Sequence, residues 1–128
     1  MERDATGIGF DSSTGFTLPN GAKRSPDLAW VERTRWDRLT AEEKEGFPPL
    51  CPAFVAELRS PSDDLTVLQQ KLEEYIANGA ALGWLIDPNE KRVYVYRPER
   101  AMECLDHPKA LSGEPVLPGF ALDLKGIW

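Results

Sequence analysis

Residues 53–63 read Ala53-Phe54-Val55-Ala56-Glu57-Leu58-Arg59-Ser60-Pro61-Ser62-Asp63. The first six form a near-continuous apolar run, the pattern of a strand covered on both faces in a mixed or parallel sheet flanked by helices. Ser60-Pro61-Ser62-Asp63 then reads as a helix start, with a capping hydroxyl, a proline in the first turn and an acid near the positive helix end. Leu65, Leu68, Leu72, Tyr75, Ile76 and Gly79 follow at helical spacing. They predict an amphipathic helix of about four turns, with Asn78-Gly79 as its stop.

Downstream, Gly83-Trp84-Leu85-Ile86-Asp87 is a second buried-strand pattern, closed by Pro88-Asn89. Arg92 to Tyr96 alternates, Val93 and Val95 on one face and Tyr94 and Tyr96 on the other, so the two segments predict a hairpin across 88–91. Met102 to Leu105 can add a strand, and Pro115 to Leu124 ends in a short extended piece. Upstream, Gly7 to Asp11, Gly15 to Leu18 and Asp27 to Val31 read as strands, with a turn at Pro19-Asn20-Gly21. Thr40 as N-cap with Glu43 three residues on predicts one short helix at 41–46. Strand, helix, strand, strand in the middle of the chain makes the class α/β or α+β with a mixed sheet.

The frame around this pattern is ordinary. The chain has 128 residues, 41% hydrophobic and 28% charged, which fits a single domain over 1–128 with one packed core. No apolar run approaches the roughly 18 residues of a membrane span. Met1 to Phe10 mixes charges with glycines, unlike a signal peptide. With only Cys51 and Cys104, no disulfide framework is expected, and the expected location is cytoplasmic. A net charge of −6, from 21 acids and 15 bases, excludes a generic phosphate-backbone binder. Arg33, Arg35 and Arg38, and Lys91, Arg92, Arg97 and Arg100, read as solvated loop and strand faces.

Glu57 is the anomaly. A carboxylate inside the most apolar strand costs several kcal/mol unless an ion pair, a raised pKa, a metal or strand-end exposure compensates. Asp27, directly after Pro26, has a similar setting at the start of its own strand. Two such carboxylates can converge on one hard divalent cation. Alternatively each sits at a strand end and pairs with Arg59 or Lys71. Lys71 lies two turns into the helix and can also pair with Glu74 on the surface. Cys51 lacks a neighbouring histidine, His107 in Asp-His-Pro reads as a turn residue, Ser12-Ser13-Thr14-Gly15 lacks the Gly-Lys-Ser/Thr of a phosphate loop, and neither cysteine has zinc-site spacing.

Taken in order, Ser25-Pro26-Asp27-Leu28-Ala29-Trp30-Val31, Glu57-Leu58-Arg59-Ser60-Pro61-Ser62, Lys71-Leu72-Glu73-Glu74-Tyr75, Gly83-Trp84-Leu85-Ile86-Asp87-Pro88, Val93-Tyr94-Val95-Tyr96-Arg97-Pro98 and Leu117-Pro118-Gly119-Phe120 closely resemble the Uma-two family. That family of restriction-endonuclease-like proteins falls within the PD-(D/E)XK nuclease superfamily. The resemblance implies a restriction endonuclease-like mixed β-sheet flanked by helices, and metal-dependent hydrolysis of DNA phosphodiester bonds. It implies Mg²⁺ (or Mn²⁺) at Asp27, Glu57 and Leu58, with Lys71 orienting water or stabilising phosphate charge and Arg59 in support. Arg59 stands where the superfamily has lysine, and Lys71 fits a lysine moved to the following helix. Arginine stays protonated, so Arg59 can clamp a phosphate and cannot act as a base. Family members carry a further N-terminal helix and strand, so the chain reads as N-terminally shortened. Apolar surface left bare by a missing helix favours a homodimer. DNA is the expected partner, and a membrane is not. The rival readings are a catalytically inactive nuclease-fold interaction module and a purely structural ion-pair network.

Overall fold

The computed structural model describes residues 6–128. The leader reading of Met1 to Phe10 lies partly outside them, at residues 1–5. The central run forms β5 (Phe54–Leu58), followed by α3 (Leu65–Ala77), β6 (Leu82–Asp87) and β7 (Arg92–Tyr96). Before them come β1 (Gly7–Asp11), β2 (Phe16–Thr17), β3 (Lys23–Arg24), β4 (Leu28–Glu32), α1 (Arg33–Asp37) and α2 (Ala41–Lys44). After them come β8 (Glu103–Asp106), β9 (Ala110–Ser112) and β10 (Ala121–Asp123). Among the described residues a six-stranded sheet runs β1-β4-β5-β6-β7-β8. Its β5–β6 pair is parallel and the other neighbours are antiparallel, so the sheet is mixed. The parallel pair needs a crossover, and α3 supplies it.

The pleat divides the core in two. Ala29, Val31, Val55, Leu85, Tyr94 and Tyr96 face α3, where Leu68, Leu72 and Tyr75 meet them. Gly83 lies under the helix because a Cβ there would stand 2.8 Å from Leu72 Cδ1. On the opposite face Trp30, Phe54, Ala56, Trp84, Ile86, Val93 and Val95 pack under Leu111, Leu117 and Leu124 of the C-terminal segment. Both faces therefore carry buried side chains, and the apolar β5 run is explained by cover on each side.

Local physics accounts for the differences from the sequence reading. The helix begins at Leu65, later than Ser60-Pro61 suggests. Asp63 Oδ2 accepts from the Ser60 backbone N–H at 3.0 Å, and the Asp63 N–H donates to the Ser60 carbonyl at 3.0 Å. Residues 60–63 are thus a closed turn, and Asp64 caps the helix by accepting from the Thr66 and Val67 N–H groups. At the other end Asn78 is the C-cap and Gly79 takes φ +117°, as the stop signal implied. Thr40 and Glu43 form the expected capping box, over a helix of only four residues. The single turn of α1 has no buried residue and no side-chain cap, so it left no periodic trace in the sequence. The strand β9 was also not anticipated; it pairs antiparallel with β10. Among the described residues no helix is long and apolar enough to cross a membrane.

Candidate active site

The antiparallel register of β4 and β5 pairs Leu28 with Ala56. One step further out, Asp27 stands opposite Glu57, so two carboxylates 30 residues apart meet at one end of the sheet. They are laced together through the backbone. The Asp27 N–H donates to Glu57 Oε1 at 3.3 Å, and the Leu58 N–H donates to Asp27 Oδ2 at 2.7 Å. Asp27 is half-buried. Glu57 is only 4% exposed, on the face covered by α3.

That helix brings the remaining groups. Lys71 and Tyr75 lie one turn apart on it and both reach Glu57 Oε2. The Tyr75 hydroxyl donates at 3.0 Å, and Lys71 Nζ stands 4.0 Å away. Burial pushes the Glu57 carboxyl up to about 7, and the Asp27 charge adds to the push. The Lys71 ammonium, the Tyr75 hydroxyl and the Asp27 N–H act in the opposite direction without cancelling it. Burial and the Glu57 charge drive the Tyr75 hydroxyl well above its ordinary value, so it stays protonated and can donate to Glu57. A cleft of about 200 Å³ lies over the strand ends, lined by Asp27, Glu57, Leu28, Leu58, Ile86 and Ile127 among others. Leu28 and Leu58 are its exposed aliphatic members.

Arg59 is turned elsewhere. It follows Leu58, which pairs with Ile86, so it lies alongside Asp87. Its Nη1 is 2.9 Å from Asp87 Oδ2, and its Nε donates to the Asp63 carbonyl at 3.2 Å. Lys71 does not take the alternative surface pair with Glu74, which Arg24 holds at 2.6 Å. Arg35 pairs with Glu32 and Arg92 with Asp106, in keeping with solvated basic groups. Cys51 and Cys104 are free thiols. Cys51 is buried, and desolvation raises it to about 11, which makes a nucleophilic role unfavourable. His107 adopts φ +50° and donates its N–H to the Lys91 carbonyl, the turn position its context suggested.

Sequence reading left two side chains without a polar role. Tyr75 appeared only as an apolar position of the helix, although its spacing of four from Lys71 puts both on one face. Asp87 appeared only as a strand end. It is fully buried, and its Oδ1 accepts from the Asn89 and Glu90 N–H groups.

The donor set is compatible with a hard divalent ion. Two carboxylates stand at paired positions of adjacent strands, one of them buried without a close cation, and Leu58 follows Glu57 in the same strand. Among the described residues no group of three or more His, Cys, Asp or Glu gathers, so the side-chain donors at this place are the two carboxylates.

The fold is that of a nuclease class. It is similar to a crystal structure from Anabaena variabilis ATCC 29413 described as "a putative nuclease belonging to DUF820". The TM-score is 0.79 at 27% identity, covering 95% of this chain and 68% of that one. The model of the family Uma2, described as "Putative restriction endonuclease", matches residues 1–125, and the chain belongs to that family. A search of curated proteins returns no match.

Proposed function

We propose that the chain is a metal-dependent endonuclease domain that hydrolyses DNA phosphodiester bonds. The observation that carries this reading is the meeting of Asp27 and Glu57 across β4 and β5, with Lys71 of α3 against Glu57. Family membership and the similar nuclease structure support it. Asp27, Glu57 and the Leu58 carbonyl are the residues that would hold Mg²⁺ or Mn²⁺. When bound, such an ion activates water and offsets charge developing on the phosphate.

The chain's own groups have separable tasks. Asp27 is held by the Leu58 N–H, which fixes the position of one carboxylate oxygen. Lys71 is half exposed at the edge of the site, where its ammonium can hold a phosphate oxygen or a water. Arg59 serves by anchoring the loop that leaves β5, through Asp87 and the Asp63 carbonyl.

The test is Mg²⁺- or Mn²⁺-dependent nicking of plasmid and single-stranded DNA, with Glu57→Ala as control. Loss of nicking in the control is expected, and equal activity removes the assignment. A catalytically inactive interaction module on the same fold is the second reading. It is favoured by the commitment of Arg59 to Asp87 and by the net charge of −6. Absence of any Mn²⁺ heat in calorimetry would select it.

A further inference from the structure

Glu57 has two oxygens in unlike surroundings. Oε2 is gripped from α3, by the Tyr75 hydroxyl at 3.0 Å and the Lys71 ammonium at 4.0 Å. Oε1 accepts a long contact, 3.3 Å, from the Asp27 backbone N–H, and so it is the oxygen on the Asp27 side of the carboxylate. Tyr75 is itself fully buried, packed in the core with Leu72 and Val55, so its ring has little freedom. Its hydroxyl has no competing role as an acid, because burial beside Glu57 keeps it protonated. A lysine at 4.0 Å on a flexible stem cannot set a carboxylate rotamer, whereas a donor on a locked ring can.

We infer that Tyr75 is a positioning residue: its hydroxyl clamps Glu57 Oε2 and thereby aims Oε1 at the space shared with Asp27. The inference rests on the metal-centre reading of Asp27 and Glu57, and deepens it. Hydrogen-bonded partners of carboxylate ligands set ligand orientation and commonly change metal affinity 10- to 100-fold when removed.

The experiment is Mn²⁺ titration calorimetry of the wild-type chain, Tyr75→Phe and Leu72→Val. Tyr75→Phe keeps the ring in the core and removes only the donor. Leu72→Val loosens the same helix face without touching Glu57. Wild type and Leu72→Val are expected to bind alike, and Tyr75→Phe about 10-fold more weakly. No Mn²⁺ binding by wild type overturns the metal-centre reading and this inference with it. Binding by wild type that Tyr75→Phe leaves unchanged, or that Leu72→Val weakens equally, overturns the inference alone. If Tyr75→Phe does not fold, Mg²⁺ titration of the wild type by carbon NMR decides. The Tyr75 Cζ resonance must move with the same midpoint as the Glu57 carboxyl carbon, and a Tyr75 signal that stays still overturns the assignment.

Discussion

Two buried carboxylates lie on the same face of adjacent strands and are treated in opposite ways. Asp87, at the end of β6, is fully buried. It receives a guanidinium at 2.9 Å on one oxygen and two backbone N–H groups on the other. Glu57, in β5, is nearly as buried, yet its nearest cation is 4.0 Å away and its one backbone donor is long. The first arrangement is a completed structural ion pair. The second leaves negative charge short of partners, and burial lifts the Glu57 carboxyl to about 7. A structural role asks for compensation at hand, and a ligand-binding role asks for compensation to be supplied from outside. The difference between Asp87 and Glu57 is thus one of compensation, complete in the first and partial in the second.

The largest effect should come from breaking the completed pair. Asp87→Ala strands the Arg59 guanidinium and two N–H groups, and should cost about 3–5 kcal/mol in urea-unfolding free energy. A cost below 1 kcal/mol would mean that Asp87 is no better compensated than Glu57. Glu57→Gln should do the reverse without metal. Between pH 4.5 and about 7 the folded chain keeps a proton that the unfolded chain releases, so the Glu57 contribution to stability falls as pH rises. The glutamine variant should match wild type at pH 4 and exceed it by up to about 3 kcal/mol at pH 8. Parallel stability curves for the two proteins across that range would refute the uncompensated charge.

Arg59→Lys keeps the charge and loses the planar fork that reaches both Asp87 and the Asp63 carbonyl. It should lower stability by about 1–2 kcal/mol, read as a shift in urea midpoint. The smallest effect belongs to Lys71→Met. Removing a long, half-exposed pair should cost less than about 1 kcal/mol at pH 8 and nothing at pH 5, where Glu57 is protonated. Any loss of DNA nicking in Lys71→Met should then far exceed its loss of stability.

The contrast between these carboxylates was only half legible in the amino-acid order. Glu57 stood out because one charge interrupts an apolar run, and Asp27 because it follows Pro26 at a strand start. Asp87 carried no such signal, since an acid before Pro88-Asn89 looks like any strand end. Arg59 alternates onto the same face as Glu57, but alternation gives only the side of the sheet. Its choice of Asp87 depends on the β5–β6 register, a pairing across an intervening helix.

By itself the sequence determined the elements whose signals are local. Apolar runs made β5 and β6, alternation made β7, helical spacing with Asn78-Gly79 made and ended α3, and the Thr40–Glu43 box started α2. Those features depend on neighbours within a few residues, and short-range periodicity encodes them. Only the tertiary structure decided which acid meets which donor. Strand register set Asp27 against Glu57, and docking of α3 on the sheet brought Tyr75 and Lys71 to one oxygen. Such contacts join residues from 14 to 30 apart by distances of a few ångströms, and no local pattern carries that information.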